Sequence, residues 1–447
     1  MLRSIKNFLY FPIARYFIFF AGIYLRRWNP TIVVVTGSSG KTTLLHLLES
    51  QIGRRARYSH KANSSFGIPF DVLGLSRKTL FKTEWFRLFL SAPVRAFRPR
   101  PQEKIYIVEA DCDRPYEGKF LASFLKPDVV LWINVARTHG MNFERLVEEG
   151  SFATVEQAIA FEFGYFLEYC QGTVIINGDS ELMKKQIERT KAKVIEVKRD
   201  KLELYRVGRE GTVFVIGGRS YLFKVLLPEG VFYSLMMCIR LMELDSRTTR
   251  ALASAKRRLR GNDKDLCGND KDESLVFNNF SLPPGRSSIF QGIRNTTIID
   301  SCYNVDLSSM AAILDMFAKL DGSHKWAVVG DMLEQGKGEE EEHRRLAEML
   351  ASYDFERIIL MGPRVSKYTF SLLDEKFMGE GILKRFIGPK ETLDYLLENL
   401  QGGEVVLFKG ARFMEGIIER LLANKEDVAK LSRREPIWEK RRRNFSL

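Results

Sequence analysis

Cysteine is scarce in this chain of 447 residues and is never arranged as a metal-binding or disulfide motif. The five cysteines are scattered, odd in number and nowhere in a C-x-x-C pair: Cys112, Cys170, Cys238, Cys267 and Cys302. A disulfide framework and a structural zinc site both need clustered thiols, so the sequence argues against both. Reduced, scattered thiols are typical of a cytoplasmic chain.

Acidic residues are also under-represented. Lys and Arg total 69 against 56 Asp and Glu, which gives a formal net charge of +13. Such an excess indicates an anionic partner, either nucleic acid, a membrane surface or a small anionic substrate. The basic residues form short clusters without a nucleic-acid-binding signature, so we predict no nucleic-acid partner.

No long uninterrupted apolar run is present, although residues 8–25 are rich in aromatic side chains. Pro12 and Arg15 interrupt this stretch and leave only residues 16–25 uncharged, whereas a membrane-spanning helix needs about 20 apolar residues. Two interpretations remain open. Residues 1–27 form either an interfacial anchor, with arginines on anionic lipid, or a helix packed on the protein's own body.

Short β-rich runs alternate with amphipathic segments in two parts of the chain. The predicted strands cover residues 31–35, 104–110, 128–136 and 172–179, then 296–300, 325–331, 357–362 and 404–410. This rhythm predicts an α/β fold with mostly parallel sheets, whose ligands bind at the carboxyl ends of the strands.

A charged stretch between these two parts, residues 255–274, predicts a loop or linker. We therefore expect four regions along the chain. They are a hydrophobic and basic N-terminal segment (1–30), a central α/β domain (31–289), a second α/β domain (290–425) and a basic tail (426–447).

The segment TGSSGKTT, residues 36–43, follows an apolar strand and opens a helix with an apolar face. It departs from the usual phosphate-loop pattern G-x-x-x-x-G-K-[ST], because Val35 stands where the first glycine belongs. Glycines still let backbone N–H groups face a phosphate, and the helix N-terminus adds positive potential. The residues predicted to hold nucleotide phosphates are Gly37, Ser38, Ser39, Gly40, Lys41, Thr42 and Thr43. In this prediction Lys41 reaches the outer phosphates and the Thr42 hydroxyl binds Mg²⁺.

Two polar residues stand at the ends of later strands. Glu109 closes the strand at 104–110, and His139 follows the strand at 128–136. Taken alone, a glutamate at a strand end is more often solvated than a ligand, and a lone histidine more often lies on the surface or in the core. Because the carboxyl ends of parallel strands meet at one edge, both residues are candidates to bind Mg²⁺ or a second metal beside the phosphate loop.

These motifs and several later ones occur in the order found in Mur ligases, and the sequence resembles that family. The family's short loop form T-G-x-x-G-K-T accounts for Val35. The other matching segments are ANSSFGIPF (62–70), IVEADCDRPYEG (107–118), NVARTH (134–139), IINGD (175–179), Gly285-Arg286, IIDSCYNVDLSSM (298–310), VVGDMLEQG with EEEEHRR (328–345) and VLFKGARFMEGII (406–418). The likeness spans residues 31–420, and the C-terminal motifs are most similar to the MurF branch.

The resemblance implies a P-loop NTPase-like central domain and a Rossmann-like C-terminal domain. It also implies an ATP-dependent amide-bond-forming ligase of cell-wall precursor synthesis. A substrate carboxylate attacks the γ-phosphate of ATP, and an amine such as that of D-Ala-D-Ala then displaces phosphate. The implied cofactors are ATP and Mg²⁺, and the implied partners are a peptide or amino acid and an anionic carboxylate acceptor. We expect a cytoplasmic monomer, peripheral to the inner face of the membrane if residues 1–27 act as an anchor.

The resemblance also assigns roles to individual residues. Lys41, Glu109 and His139 would form the catalytic group, with Thr42, Glu109 and His139 as metal ligands. The residues expected to contact nucleotide in the C-terminal domain are Arg286, Asp300 and Asn304. Those expected to face the substrates are Asn63, His343, Lys409 and Arg412.

Several departures from the family pattern keep alternatives open. About 30 residues precede the phosphate loop, so the domain that grips a UDP-sugar is expected to be lacking, and a lipid-linked or other carboxylate becomes a candidate acceptor. Phe163 takes the position of the family's carbamylated lysine. Either the adjacent Glu162 substitutes for it, the second metal is weakened, or activity is lost. Ser234 stands at a usual Asn, and the D-D-S-Y-N-x-N-P signature reads D-S-C-Y-N-V-D-L.

A second hypothesis follows from these departures, namely a catalytically weakened nucleotide-binding scaffold with the same fold. A third is a ligase for a different polymer, of the folylpolyglutamate or cyanophycin type. The MurF-like segments GDMLEQG and DSCYN argue against the third hypothesis.

Overall fold

The structure is a computed structural model of the chain. It describes residues 2–60, 62–77, 83–244, 275–277, 279–303, 305–377, 381–410, 413–435, 438 and 442. The predicted linker at 255–274 and the candidate site residues Asn304 and Arg412 lie outside the described residues. The chain forms two compact units. One comprises Met1–Ala136, Asn142–Arg199 and Phe232–Asp270, and the other comprises Arg137–Met141, Asp200–Val231 and Lys271–Leu447.

The first unit contains a six-stranded parallel sheet in the order β2-β3-β1-β4-β5-β6. Its strands are β1 (Thr31–Thr36), β2 (Ala56–Tyr58), β3 (Ile105–Ala110), β4 (Val129–Trp132), β5 (Thr173–Asn177) and β6 (Lys193–Val197). Its helices are α1 (Leu2–Trp28), α2 (Lys41–Ile52), α3 (Gly67–Leu73), α4 (Thr83–Arg95), α5 (Glu117–Leu125), α6 (Glu144–Glu148), α7 (Val155–Glu168), α8 (Glu181–Lys184) and α9 (Val231–Glu243). The central strands are Val- and Ile-rich and buried, as expected for a parallel sheet covered on both faces.

Strand register brings the ends of β1, β3 and β4 to one level. Thr36 pairs with Ala110 on one side and with Trp132 on the other. The residues that follow these three strands therefore emerge together at the carboxyl edge of the sheet, where ligands bind in open α/β folds.

The second unit contains two sheets. A small sheet in the order β10-β9-β8-β7 is formed by β7 (Leu202–Gly208), β8 (Gly211–Ile216), β9 (Arg219–Phe223) and β10 (Leu275–Val276). A six-stranded sheet in the order β11-β12-β16-β13-β14-β15 is formed by β11 (Ser288–Gln291), β12 (Thr297–Asp300), β13 (Lys325–Gly330), β14 (Arg357–Met361), β15 (Leu383–Phe386) and β16 (Val405–Lys409). Its helices are α10 (Leu307–Lys319), α11 (Glu339–Leu350), α12 (Phe370–Lys376), α13 (Pro389–Asn399) and α14 (Met414–Leu421). All pairings in the larger sheet are parallel except that of β11 with β12, so the predicted α/β class is confirmed.

Helix α1 packs on the core of the first unit. Phe17, Ala21 and Tyr24 are buried within that core. The Tyr16 hydroxyl donates a hydrogen bond to the carbonyl of Phe89 at 2.8 Å. These contacts match the packed-helix interpretation of the N-terminal segment. Within the part of the chain that the structure describes, no helix combines the length and apolarity needed to cross a bilayer.

Candidate active site

The phosphate-loop segment joins β1 to α2 through a backbone that requires glycine. Gly37 has φ +132° and Gly40 has φ +80°, both in the region that disfavours side chains. A Cβ atom on Gly37 would also lie 3.0 Å from the carbonyl oxygen of Asn134. The loop then leads into α2, whose first residue is Lys41. Strand β1, the glycine-containing loop and the N-terminus of α2 together form an anion-binding arrangement.

The segment after β4 supports this loop from the side. The Ser39 N–H donates to Asn134 Oδ1 at 2.9 Å, and Asn134 Nδ2 donates to Ser39 Oγ at 2.8 Å. The Ser38 hydroxyl donates to the carbonyl of Ala136 at 2.9 Å and accepts from its N–H at 2.8 Å. Asn134 was not among the predicted site residues. It lies just beyond β4, which pairs with β1, and this position lets its side chain support the phosphate loop.

Lys41 is buried and held by three oxygen atoms. Its Nζ donates to the carbonyls of Gly37 at 2.5 Å and Ser38 at 3.2 Å, and it forms an ion pair with Asp111 Oδ2 at 2.8 Å. Burial alone would lower the pKa of Lys41, but the carboxylates of Asp111 and Glu109 outweigh that effect and raise it. The loop thus holds an ammonium whose charged form is favoured by the two carboxylates. Asp111 was also missed from the sequence.

Thr42 and Glu109, both predicted as metal ligands, lie together. The Thr42 hydroxyl donates to Glu109 Oε2 at 3.0 Å. The backbone of Glu109 is fixed in turn, because its N–H donates to Ser59 Oγ at 2.9 Å. Hydroxyl and carboxylate oxygens are the ligands that Mg²⁺ prefers, so the donor set beside Lys41 fits a magnesium–nucleotide complex.

His139 belongs to the second unit, in the segment Arg137–Met141. Its Nδ1 lies 2.7 Å from Glu334 Oε2, and its backbone has φ +53°. The predicted role of His139 as a metal ligand stays a prediction.

Phe163 stands where the family resemblance implies a carbamylated lysine. Phe163 is fully buried, with its ring 6.0 Å from that of Trp132. Glu162 accepts hydrogen bonds from the N–H groups of Tyr116 at 2.8 Å and Gly118 at 3.0 Å, so it caps the start of α5. Burial raises the pKa of Glu162 to about 7, against the lowering effect of those N–H donors. Glu162 is therefore engaged in a structural cap, which argues against its substituting for the lysine.

Asn63 lies in the segment that meets the end of β3. Its carbonyl accepts from the Asp111 N–H at 2.8 Å. Two residues on, Ser65 donates through its N–H and hydroxyl to Glu117 Oε1 at 3.0 and 2.6 Å, and Glu117 is fully buried. The predicted substrate segment is thus tied to both β3 and α5, and Glu117 is a further residue that sequence reasoning missed.

In the second unit, Asp300 and Lys409 end the neighbouring strands β12 and β16. Both are buried, and burial lowers the pKa of Lys409 to about 8 despite the nearby carboxylate of Asp306. Burial also raises the pKa of Asp300, whose Oδ1 accepts from the Cys302 N–H at 3.1 Å. The Arg286 guanidinium lies over the ring of Tyr303, 4.7 Å from its centroid.

His343, predicted to face substrate, lies inside the second unit. Its side chain is fully buried in α11. Its Nδ1 lies 2.6 Å from the Glu339 carbonyl, and its Nε2 lies 3.2 Å from the Met332 N–H. This pair of partners requires the neutral tautomer with the proton on Nδ1, and burial lowers the pKa accordingly. Both ring nitrogens are used to fix the segment after β13, and the expected substrate contact of His343 stays a prediction.

Comparison with known proteins places these features in a family. The Mur ligase middle domain matches residues 35–228, and the Mur ligase, glutamate ligase domain matches residues 285–412. The UDP-N-acetylmuramoyl-tripeptide--D-alanyl-D-alanine ligase of Bacillus subtilis is 23% identical over 419 residues, covering 90% of this chain and 78% of the relative. The corresponding protein of Mycobacterium tuberculosis (strain CDC 1551 / Oshkosh) is 24% identical, covering 85% and 70%.

Solved structures show the same fold. MurF of Acinetobacter baumannii has a TM-score of 0.67 at 18% identity, with 90% of this chain and 79% of that chain covered. The MurF ligase of Thermotoga maritima in complex with ADP has a TM-score of 0.66 at 19% identity, with 93% and 84% covered. The family models, the relatives and the fold agree with the resemblance seen in the sequence, and this chain belongs to the Mur ligase family.

Proposed function

We propose that this chain is an ATP-dependent carboxylate–amine ligase of the MurF type, which adds D-alanyl-D-alanine or a similar amino compound to a cell-wall peptide precursor. The observation that carries the proposal is the Lys41 ammonium, held in a glycine loop beside the Thr42–Glu109 pair. The relatives from Bacillus subtilis and Mycobacterium tuberculosis carry the name of this activity.

The chemistry needs an activated carboxylate, and ATP supplies the phosphoryl group for it. The substrate carboxylate oxygen bonds to the γ-phosphorus as ADP leaves, and the amine nitrogen then bonds to the acyl carbon as phosphate leaves, losing a proton. Lys41 and the loop N–H groups would balance the phosphate charge, which is where most catalytic stabilisation of phosphoryl transfer arises. Thr42 and Glu109 would hold Mg²⁺, with His139 as a further candidate ligand.

The residues of the second unit keep the roles that the resemblance implies. Arg286 and Asp300 are assigned to nucleotide, and Lys409 is assigned to the carboxylate of the incoming amino compound. A buried ammonium whose pKa is about 8 is still mostly protonated at neutral pH, as that contact requires. Asn63, Asn304 and Arg412 keep the roles expected from the family motifs. The chain is proposed to act in the cytoplasm, where ATP is available, and the expected monomeric state is kept as part of the proposal.

A catalytically weakened scaffold is the second candidate, and the observation that favours it is the burial of Phe163 in the core. Under that hypothesis ATP binds, but no acceptor–amine pair stimulates its turnover. The relatives that are named for the ligase activity favour the ligase.

The test is phosphate release from ATP and Mg²⁺ by the purified protein. Acceptors are UDP-linked and lipid-linked muramoyl peptides, and amines are D-Ala-D-Ala and single amino acids. We expect release that requires one acceptor–amine pair and falls at least about a thousandfold in Lys41→Ala. Lys184→Ala, an exposed lysine paired with Glu181 in the same unit, is the matched control. ATP binding without stimulation by any pair would establish the scaffold instead.

A further inference from the structure

Helix α4 and the turn after it expose a stripe of large apolar side chains. The exposed fractions are 70% for Phe86, 61% for Leu90, 74% for Val94 and 65% for Phe97. These residues recur every three or four positions, so on a helical geometry they lie within an arc of about 80°. Single exposed apolar residues are common, but a continuous stripe of this kind marks an interaction surface.

The stripe is not the core-facing side of α4. Leu88, Ala92 and Ala96 are buried in the core of the first unit, and they occupy the opposite side of the helix. Helix α1 holds α4 in this orientation. The Arg27 guanidinium donates to the Ala96 carbonyl at 2.8 Å and lies over the Phe97 ring, 5.5 Å from its centroid. Both sides of α4 are therefore apolar, and packing within the unit accounts for only one of them.

Most of the net positive charge of the chain lies in the same two segments. Residues 1–28 contain five basic residues and no acidic one. Residues 77–100 contain one acidic residue, Glu84, and seven basic ones, namely Arg77, Lys78, Lys82, Arg87, Arg95, Arg98 and Arg100. The two segments thus contribute eleven of the thirteen net positive charges. Arg95 and Arg100, next to the stripe, are exposed.

We infer that the apolar stripe of α4 docks on the surface of an anionic lipid bilayer. Phe86, Leu90, Val94 and Phe97 insert at the boundary between headgroups and acyl chains, while Arg95 and Arg100 contact lipid phosphates. An apolar helix face bordered by arginines is the chemistry of an interfacial helix. A second copy of this chain is a poorer occupant, since pairing two such stripes would oppose two strongly positive surfaces.

This surface differs from the N-terminal segment that the sequence offers as a candidate anchor. Residues 1–27 were one candidate for lipid contact, but α1 uses Phe17, Ala21 and Tyr24 for the core. In the structure α1 is the support of α4, and α4 presents the apolar face.

The test is flotation of the purified full chain with vesicles of phosphatidylcholine containing phosphatidylglycerol, compared with phosphatidylcholine alone. We expect binding to the anionic vesicles that high salt weakens. The variant Phe86→Gln/Leu90→Gln/Val94→Gln/Phe97→Gln should reduce the partition coefficient by at least about a hundredfold. Leu204→Gln/Ile387→Gln, which replaces exposed apolar residues of the second unit, should bind like the wild type. Vesicle binding is measured without turnover, so a failure of this test is distinguishable from a failure of the ligase assay.

Charge is tested separately. Arg95→Gln/Arg100→Gln should weaken anionic-vesicle binding by about tenfold or more and reduce its salt dependence. Arg145→Gln, at an exposed arginine of α6, should leave it unchanged. The inference is overturned if the wild type ignores anionic vesicles, or if the four-residue variant binds them equally well. It is also overturned if that variant instead abolishes a dimer seen by sedimentation without vesicles, which would make the stripe a contact between copies.

Discussion

The Lys41 ammonium lies 2.8 Å from the Asp111 carboxylate, which joins the phosphate loop after β1 to the residue just beyond β3. Asp111 thus acts as a counter-ion inside the loop. Nucleotide phosphates bring more negative charge to the same ammonium, so binding would exchange one ionic partner for another. The stability of the loop should therefore depend on whether nucleotide is bound, and unfolding experiments can measure this dependence.

Asp111→Asn is expected to lower the free energy of unfolding by about 3 kcal/mol, because it leaves a buried lysine without its charged partner. Magnesium–ATP should recover much of that loss, and so should stabilise the variant more than the wild type. Urea unfolding with and without nucleotide measures both quantities. Asp200→Asn, at an exposed pair with Lys201, serves as the control and should change neither. Equal stabilisation of variant and wild type by nucleotide would contradict this account of the ion pair.

The Glu162 cap predicts a pH dependence of stability. Its pKa is about 7 in the folded chain, against 4.5 for an ordinary glutamate. The folded state therefore favours the protonated form. The stabilisation from this preference is fully present below pH 4.5 and is lost as the pH rises to about 7. The loss amounts to about 3 kcal/mol.

Glu162→Gln should remove this dependence. Relative to the variant, the wild type is expected to lose stability between pH 4.5 and 7, as measured by urea unfolding across that range. Glu168→Gln, at an exposed glutamate of the same helix that pairs with the half-buried Arg189, should follow the wild-type curve. Parallel curves for wild type and Glu162→Gln would show that the carboxyl keeps an ordinary pKa.

Restoring the family's lysine at Phe163 is expected to damage the fold. The ring is fully buried beside Trp132, so Phe163→Lys places an ammonium in the core and should cost more than about 4 kcal/mol. Phe163→Leu should cost only about 1–2 kcal/mol. Thermal unfolding of the two variants gives the comparison. A stable Phe163→Lys variant with increased magnesium-dependent turnover would mean that this position faces the active site after all.

Lys409 is expected to reduce stability at neutral pH. Its pKa is about 8 in the folded chain against 10.5 ordinarily, so the folded state favours the neutral amine. The stabilisation from that preference is complete above pH 10.5 and is lost as the pH falls to about 8. At pH 7 the charged lysine costs about 3 kcal/mol.

Lys409→Met should therefore be more stable than the wild type at pH 7, and the difference should shrink as the pH rises from 8 to 10.5. Phosphate release driven by the acceptor–amine pair should be lost in the same variant, since stability and function conflict at this position. Lys367→Met, at an exposed lysine near Tyr368, should alter neither property. No gain in stability for Lys409→Met at pH 7 would show that the buried ammonium is fully compensated.

The α/β fold was predictable because apolar runs ending in polar residues locate the parallel strands. Val33–Val35 and Ile105–Val108 are such runs, and the loop after the first of them carries its own glycine pattern. The small sheet, in which β7, β8 and β9 are antiparallel, was missed, although Gly217-Gly218 between β8 and β9 is a hairpin signal. Both glycines have positive φ, as a tight two-residue turn between antiparallel strands requires.

Individual site residues were harder to predict than the strands that carry them. Asp111 and Asn134 act because strand register brings the ends of β3 and β4 beside β1, and a single sequence does not give that register. The burial of His343 was not predictable for a related reason, because tertiary packing turns its ring inward onto the backbone of Met332.

The two units interleave along the chain, and this has a practical consequence for fragment studies. The polypeptide passes between the units five times, at residues 136/137, 141/142, 199/200, 231/232 and 270/271. A single truncation or proteolytic cut therefore cannot release either unit as one continuous fragment. Separate expression of the first unit would require rejoining its three segments with new connections, whereas substitutions in the whole chain leave its architecture intact.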